Sequence, residues 1–372
     1  REVLAGARGL VPEDMYRVPQ AVTVHRLLGS RPGKPPRYHA MRPLPCDLLI
    51  LDEASMVDLS LMASLFDAVP PDARLILLGD RDQLSSVEAG AVLGDICRAA
   101  DSGVLAGSLA TLRHNWRFKT QSPLGALAGA VRDTQVSDVQ TLLEDTDAAE
   151  VGLIPVADAS GLDALLTERI VPMFAELERL VLDGADIESV FAKRDAMMVL
   201  CAHRRGPRGV IDINARIRSR LRGGATQSWA EQVCPGMPLM VMRNDPVLGL
   251  YNGDIGIVIP DADAPGRLQA VFQNTHGETH AVSLSRLPQY APAYAFTVHK
   301  AQGSQAPAVT LILPEKVSAI LSRELVYTGV TRAGRSLEIW GSQEVLAAAI
   351  HRSARRPTGL ADRLRDALKS GD

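Results

Sequence analysis

Two adjacent carboxylates, Asp52 and Glu53, directly follow the short apolar run Leu48–Leu51. At the end of a buried strand such a pair suits a nucleotide site. The first carboxylate can hold Mg²⁺, usually through water, and the second can orient and deprotonate the attacking water. A solvated acidic turn is the alternative interpretation, and the apolar run before the pair disfavours it. The sequence therefore predicts a phosphoryl-transfer site with Asp52 as the Mg²⁺ ligand and Glu53 as the general base.

A second polar loop, Gly79–Leu84, follows the apolar run Arg74–Leu78. Gln83 in this loop can hydrogen-bond a γ-phosphate or its attacking water without adding charge. A glutamine in a loop is more often only solvated. The predicted role of Gln83 therefore depends on the strand before it lying next to Leu48–Leu51.

Apolar, β-branched runs alternate with helical patterns, which predicts an α/β fold with parallel sheets. The runs are Leu48–Leu51, Arg74–Leu78, Met197–Cys201, Val309–Leu313 and Leu337–Trp340. Ligands of such sheets bind beyond the carboxyl ends of the strands, where the acidic pair and Gln83 are placed. Helical patterns fill residues 123–146 and 161–195 and indicate packing or a partner surface.

Between Gly236 and Leu287 the pattern changes to short β runs separated by Gly, Asn, Asp and Pro turns. The runs are Leu239–Met242, Ile255–Ile259, Leu268–Phe272 and Thr279–Ser283. Asn252-Gly253 is a strong hairpin-turn signal. The sequence predicts a small all-β barrel at 236–289, inserted into a second α/β domain formed by 109–235 and 290–372, after a first domain at 1–108.

Composition sets limits on partners and location. The 372 residues carry a net charge of -3 at pH 7, and the pI is near 6.3. Because the surface as a whole is not basic, a nucleic acid must be held by a local groove. The four cysteines form no C-x-x-C pair, which is typical of reduced thiols and disfavours a zinc ribbon. His276 and His280 are interpreted as surface hairpin residues. With no apolar run of the ~20 residues that span a bilayer, the expected location is cytoplasmic.

Together the two strand-end segments, Asp52–Ser55 and Gly79–Leu84, resemble motifs II and III of superfamily 1 helicases. The segment Ser86–Cys97 resembles the RecD-type members of that family, and Thr23–Gly29 and Arg37–Ala40 fit the same group. The resemblance implies tandem RecA-like, P-loop NTPase-like motor domains that use ATP and Mg²⁺.

Further motifs follow in the family's order. Asn115–Phe118 resembles motif IV and implies that Arg117 contacts the γ-phosphate. Ala295–Ser304 resembles motif V, which implies contacts from this segment to nucleotide, through Gly303, and to the DNA backbone. Glu324–Ala333 resembles motif VI and makes Arg332 the arginine finger; capping of a helix end is the alternative for that residue.

The resemblance also implies an SH3-like insertion beside the DNA, 5'-to-3' movement on single-stranded DNA, and RecB-like and RecC-like partner subunits in double-strand-break processing. The candidate DNA-binding residues are His25, Arg204, Arg205, Thr297 and His299. Arginines recur at every second position from Arg216 to Arg222, which scatters them around a helix and favours a solvated face.

The chain departs from the family in one large respect. It contains no G-x-x-x-x-G-K-S/T segment, whose backbone amides and lysine would hold the phosphates. Gly29–Pro35 has the wrong spacing and a proline at the hydroxyl position. We expect a fragment that starts downstream of the phosphate loop and has negligible ATPase activity alone.

A smaller departure, Gln305 in place of the family's usual glutamate, leaves one motif V contact open. Two alternatives are a non-catalytic scaffold that binds single-stranded DNA or partners, and a RecD-like helicase without partners.

Overall fold

A computed structural model describes residues 21–31, 33–85, 90–103, 105, 107–112, 122–145, 150–223, 233–274, 277–354 and 359–370. The chain forms two compact units. The first comprises Arg1–Arg81, Ser85–Leu109 and Arg356–Asp372, and the second comprises Asp82–Leu84 and Ala110–Arg355. Within the described ranges, no helix has the length and apolar character needed to cross a membrane.

The first unit is built around a parallel pair of strands in which Leu51 lies opposite Leu77. Its elements in chain order are α1 (Val24–Leu27), β1 (Leu48–Leu51), α2 (Leu59–Ala68), β2 (Arg74–Leu77) and α3 (Val92–Asp101), and the helix Leu360–Ser370 joins it. Asp58 caps α2 by accepting a hydrogen bond from Leu61 N at 3.0 Å. The inner face of the strands packs through Leu51 on a core that includes Met62 and Leu65 of α2.

The second unit contains a five-stranded parallel sheet in the order β10-β4-β11-β12-β3. Its strands are β3 (Val151–Ile154), β4 (Met197–Cys201), β10 (Phe296–Thr297), β11 (Ala306–Ile312) and β12 (Ala333–Trp340). The three central strands carry the predicted apolar runs. β3 and β10 were not predicted, because four and two residues are too short to show a pattern.

Helices cover this sheet: α4 (Pro123–Arg132), α5 (Val136–Glu144), α6 (Ala159–Leu165), α7 (Val171–Leu182), α8 (Ile187–Asp195), α9 (Val210–Leu221), α10 (Arg323–Val330) and α11 (Gln343–His351). The predicted helical stretches at 123–146 and 161–195 are therefore confirmed as several shorter helices. A π-helical turn, Leu166–Ile170, continues α6 into α7. Gly329 allows α10 to pack closely on β11, since a Cβ there would lie 3.1 Å from Leu311 Cδ2.

An antiparallel five-stranded sheet in the order β8-β7-β6-β5-β9 occupies the predicted insertion. Its strands are β5 (Pro238–Val241), β6 (Ile255–Pro260), β7 (Leu268–Gln273), β8 (Thr279–Ser283) and β9 (Tyr290–Pro292). Its buried face joins a core that also contains Phe174 of α7, whose ring packs edge-on against Tyr294 at 4.8 Å. The SH3-like assignment of this sheet stays a prediction.

Candidate nucleotide and nucleic-acid sites

The acidic pair lies where the sequence places it, directly beyond the carboxyl end of β1. Asp52 is exposed, and its Oδ1 accepts a hydrogen bond of 2.8 Å from Glu53 N. Glu53 has φ 51°, in the left-handed region that residues other than glycine rarely adopt. Backbone strain of this kind concentrates at functional sites, where the surrounding structure holds it in place.

The end of β2 lies against the segment that carries the acidic pair. Leu78 N donates to Leu51 O, and Ala54 N donates to Leu78 O, both at 2.8 Å. A Cβ on Gly79 would lie 3.2 Å from Ala54 N and 2.7 Å from Leu93 Cδ2, so glycine permits this close approach. The predicted proximity of the two strand ends is confirmed.

The donor set at this edge fits Mg²⁺. The ion keeps several waters and takes one or two carboxylates together with substrate phosphates. Asp52 offers one carboxylate, and only its Oδ1 is engaged by a described neighbour. The described part of the chain contains no group of three or more His, Cys, Asp or Glu side chains that could hold a metal ion.

Gln83 belongs to the second unit, with Asp82–Leu84. Its side chain is buried, and the adjacent Leu84 fixes the loop. Leu84 N donates to Thr328 Oγ1 of α10 at 2.8 Å, and Leu84 O accepts from Gln302 Nε2 at 2.6 Å. Gln83 is thereby held beside the segments that resemble motifs V and VI. The residues Asn115–Phe118, including Arg117, lie outside the described residues.

Arg332 follows α10 and is only 1% exposed. Its guanidinium donates to Thr328 O at 3.2 Å and to Ser304 O at 3.1 Å. Gly303, next to Ser304, has φ +77° and open space where a side chain would be. The carboxyl end of α10 and the loop after Gln302 are therefore joined through one arginine.

The sheet of the second unit brings together four of the predicted DNA-binding residues. Thr297 of β10 pairs with Cys201 at the end of β4, so the loop with Arg204 and Arg205 lies beside the turn with His299. Thr297 Oγ1 accepts from Lys300 N at 3.4 Å and caps that turn. Burial lowers the pKa of His299. The fifth candidate, His25, is exposed on α1 of the first unit.

Lys300 was missed by the sequence reasoning, although it follows the candidate His299. Its pKa is lowered by burial and by the neighbouring Arg204, so the two cations share one region. Lys300 Nζ donates to the neutral amide oxygen Asn252 Oδ1 at 2.6 Å. Among the described residues, no carboxylate forms an ion pair with Lys300, Arg204 or Arg205. This region, the Lys300–Arg204 cluster, is uncompensated positive charge that favours an anion.

Unlike the cations of the Lys300–Arg204 cluster, the alternating arginines in and just after α9 include residues that form ion pairs with carboxylates. Arg216 and Arg220 both pair with Asp163, at 2.6 and 2.8 Å, and Arg222 pairs with Glu178 at 3.1 Å. Their charges are neutralised within the fold. This agrees with the sequence interpretation that the run is not a single nucleic-acid groove.

The sequence of the chain is similar to known families and proteins. The family model of an AAA domain matches residues 15–152, and that of a UvrD-like helicase C-terminal domain matches residues 292–339. The RecBCD enzyme subunit RecD of Mycobacterium tuberculosis is 40% identical over 92% of this chain and 58% of its own length. The subunit of the same name from Haemophilus influenzae is 31% identical over 98% and 63%. Over most of its length, this chain is therefore similar to RecD subunits.

A further relative, the ATP-dependent RecD2 DNA helicase of Deinococcus radiodurans, is 32% identical over 93% of this chain and 43% of its own length. The chain spans about three fifths of the length of the RecD subunits that it matches. With the two parallel sheets, the AAA match confirms the predicted P-loop NTPase-like α/β class.

Proposed function

We propose that the chain belongs to an ATP-dependent 5'-to-3' translocase and helicase on single-stranded DNA. It would be the RecD-type alpha subunit of a RecBCD-type exodeoxyribonuclease V in double-strand-break repair and recombination, with RecB-like and RecC-like partners in the cytoplasm. The observation that supports this best is the strained acidic pair Asp52-Glu53, closed against Gly79 at the end of the neighbouring strand. The names of the RecD relatives support the choice of partners.

The proposed roles follow from the chemistry of each side chain. Asp52 would hold Mg²⁺, which neutralises phosphate charge when bound, and Glu53 would take a proton from the attacking water. Gln83 and Arg117 would contact the γ-phosphate, Gly303 would lie against the nucleotide, and Arg332 would stabilise the charge that develops in the transition state. The Lys300–Arg204 cluster would hold DNA phosphates, with Arg205, Thr297 and His299 beside it. His25 would be a separate DNA contact.

The DNA assignment is tested by the salt dependence of binding. The 372-residue chain is expected to bind oligothymidylate, and Arg204→Ala is expected to weaken binding and to reduce the slope of log affinity against log salt by about 0.7 per lost phosphate contact. Fluorescence anisotropy at several salt concentrations measures both. Arg220→Ala is the matched control, because Arg220 is paired with Asp163. An unchanged slope for Arg204→Ala would remove that residue from the site.

For these 372 residues alone we propose negligible ATP hydrolysis, because the sequence contains no G-x-x-x-x-G-K-S/T segment to hold the phosphates. A phosphate-release assay with saturating oligothymidylate measures this. Robust turnover by the chain would overturn the proposal. The full-length protein measured in parallel separates a motor from a scaffold, since a scaffold would bind DNA without turnover in both forms.

A further inference from the structure

The loop at 242–254, between β5 and β6, presents an aromatic ring to solvent. Tyr251 is 43% exposed. Among the described Phe, Tyr and Trp side chains, only Phe66 of α2, at 41%, has a comparable exposure. Tyrosine is enriched at binding surfaces because its ring offers a large apolar area and a polar hydroxyl, so the groups around Tyr251 indicate what it can bind.

The backbone around Tyr251 is fixed. Asp245 and Leu250 exchange two main-chain hydrogen bonds of 2.7 and 3.0 Å, and the Leu250 side chain is fully buried. Tyr251 N donates to Asp254 Oδ2 at 2.7 Å, and Asp254 N donates back to Tyr251 O at 3.0 Å. These bonds close the Asn252-Gly253 turn that the sequence predicts. A ring on so constrained a backbone loses little conformational entropy when it binds.

The same loop is tied to the Lys300–Arg204 cluster. Asn252 N donates to Asn244 Oδ1 at 2.7 Å, and Asn252 Oδ1 accepts from Lys300 Nζ at 2.6 Å. Tyr251 therefore adjoins the residue that anchors the loop to an unpaired cation. An exposed aromatic ring next to uncompensated positive charge is the combination by which proteins hold single-stranded nucleic acid, with phosphates on the cations and a base on the ring.

We propose that Tyr251 is a stacking platform for one base of a single DNA strand whose phosphates lie on Lys300 and Arg204. Asn252 is a positioning residue that holds the platform at the cluster. The inference rests on the proposed function, because it assumes that the cluster binds DNA, and it adds a base contact from the antiparallel sheet. Stacking on a ring does not depend on the identity of the base, which suits an enzyme that moves along any sequence.

The experiment compares two ligands, oligothymidylate and a fully abasic strand of the same length, bound to the 372-residue chain and measured by anisotropy. Tyr251→Ala is expected to weaken oligothymidylate binding about 5- to 150-fold and to leave binding of the abasic strand unchanged. Tyr251→Phe should retain affinity for oligothymidylate, while Tyr251→Leu should lose it. Asn252→Ala is expected to show a smaller loss with the same dependence on bases.

Phe66→Ala is the matched control, since it removes an aromatic ring of similar exposure from the other unit. Equal binding of oligothymidylate by Tyr251→Ala and the unaltered chain would overturn the inference while leaving the proposed function intact. Equal losses on both ligands would also overturn it, because they would indicate a structural role. If the unaltered chain bound neither ligand at low salt, the proposed function itself would fail.

Discussion

Replacing Glu53 with glutamine in the full-length protein is expected to lower DNA-stimulated ATP hydrolysis about 10²- to 10⁴-fold, the contribution of a positioned general base. The substitution keeps the size and shape of the side chain and removes its basicity. Glu53 N still donates to Asp52 Oδ1, and the strained φ of 51° is equally accessible to glutamine, so the end of β1 should remain in place. Turnover is measured with saturating oligothymidylate.

Two controls separate chemistry from binding. Nucleotide affinity of the Glu53→Gln variant should stay close to that of the unaltered protein, because Asp52 remains available for Mg²⁺. Asp72→Asn changes an exposed carboxylate in the turn before β2 and should leave turnover unchanged. Wild-type turnover by Glu53→Gln would show that another group activates the water, and the assignment of the acidic pair would then be wrong.

Strands could be predicted where the sequence carries a continuous run of apolar residues. β1 and β4 begin and end where the sequence places them, because their four or five consecutive apolar residues stop abruptly at polar ones. β9 and β10 were missed, since three and two residues carry no periodicity and their pairing comes from distant strands. Tertiary pairing, not local preference, decides such short elements.

The candidate sites likewise contain residues that the local sequence places and residues that only the tertiary structure brings together. Residues that follow a strand end, such as Asp52 and Arg204, could be placed from the sequence because parallel sheets put their carboxyl ends at one edge. Lys300 could not, since its significance comes from Arg204, which precedes it by almost one hundred residues, and from Asn252 in the insertion. The burial of Arg332 was equally hidden, because a motif shows a residue's type and order but not its hydrogen-bond partners.

The buried position of Arg332 makes its replacement the most informative second test. Arg332→Ala in the full-length protein is expected to lower turnover about 10³- to 10⁵-fold if the guanidinium acts as the arginine finger. The same substitution removes a donor from Ser304 O and one of the two donors to Thr328 O, which keeps the Thr331 hydroxyl at 3.1 Å. Each lost hydrogen bond to the charged guanidinium costs about 1.5–3 kcal/mol of folding stability. Loss of activity alone therefore does not distinguish an arginine finger from a residue that only stabilises the contact between α10 and the loop after Gln302.

Arg332→Lys resolves the two roles. Lysine keeps the positive charge but cannot reproduce the planar fork, so a finger role predicts a loss of turnover far larger than the loss of thermal stability, with oligothymidylate affinity close to that of the unaltered protein. Thr331→Val is the matched control, because it leaves the guanidinium in place and removes the hydroxyl that donates to Thr328 O at 3.1 Å and accepts from Arg332 Nη2 at 3.4 Å. If Arg332→Lys lowered the unfolding temperature and turnover in proportion, or if Arg332→Ala lost less than about tenfold in turnover, Arg332 would be a structural brace and the finger would lie elsewhere.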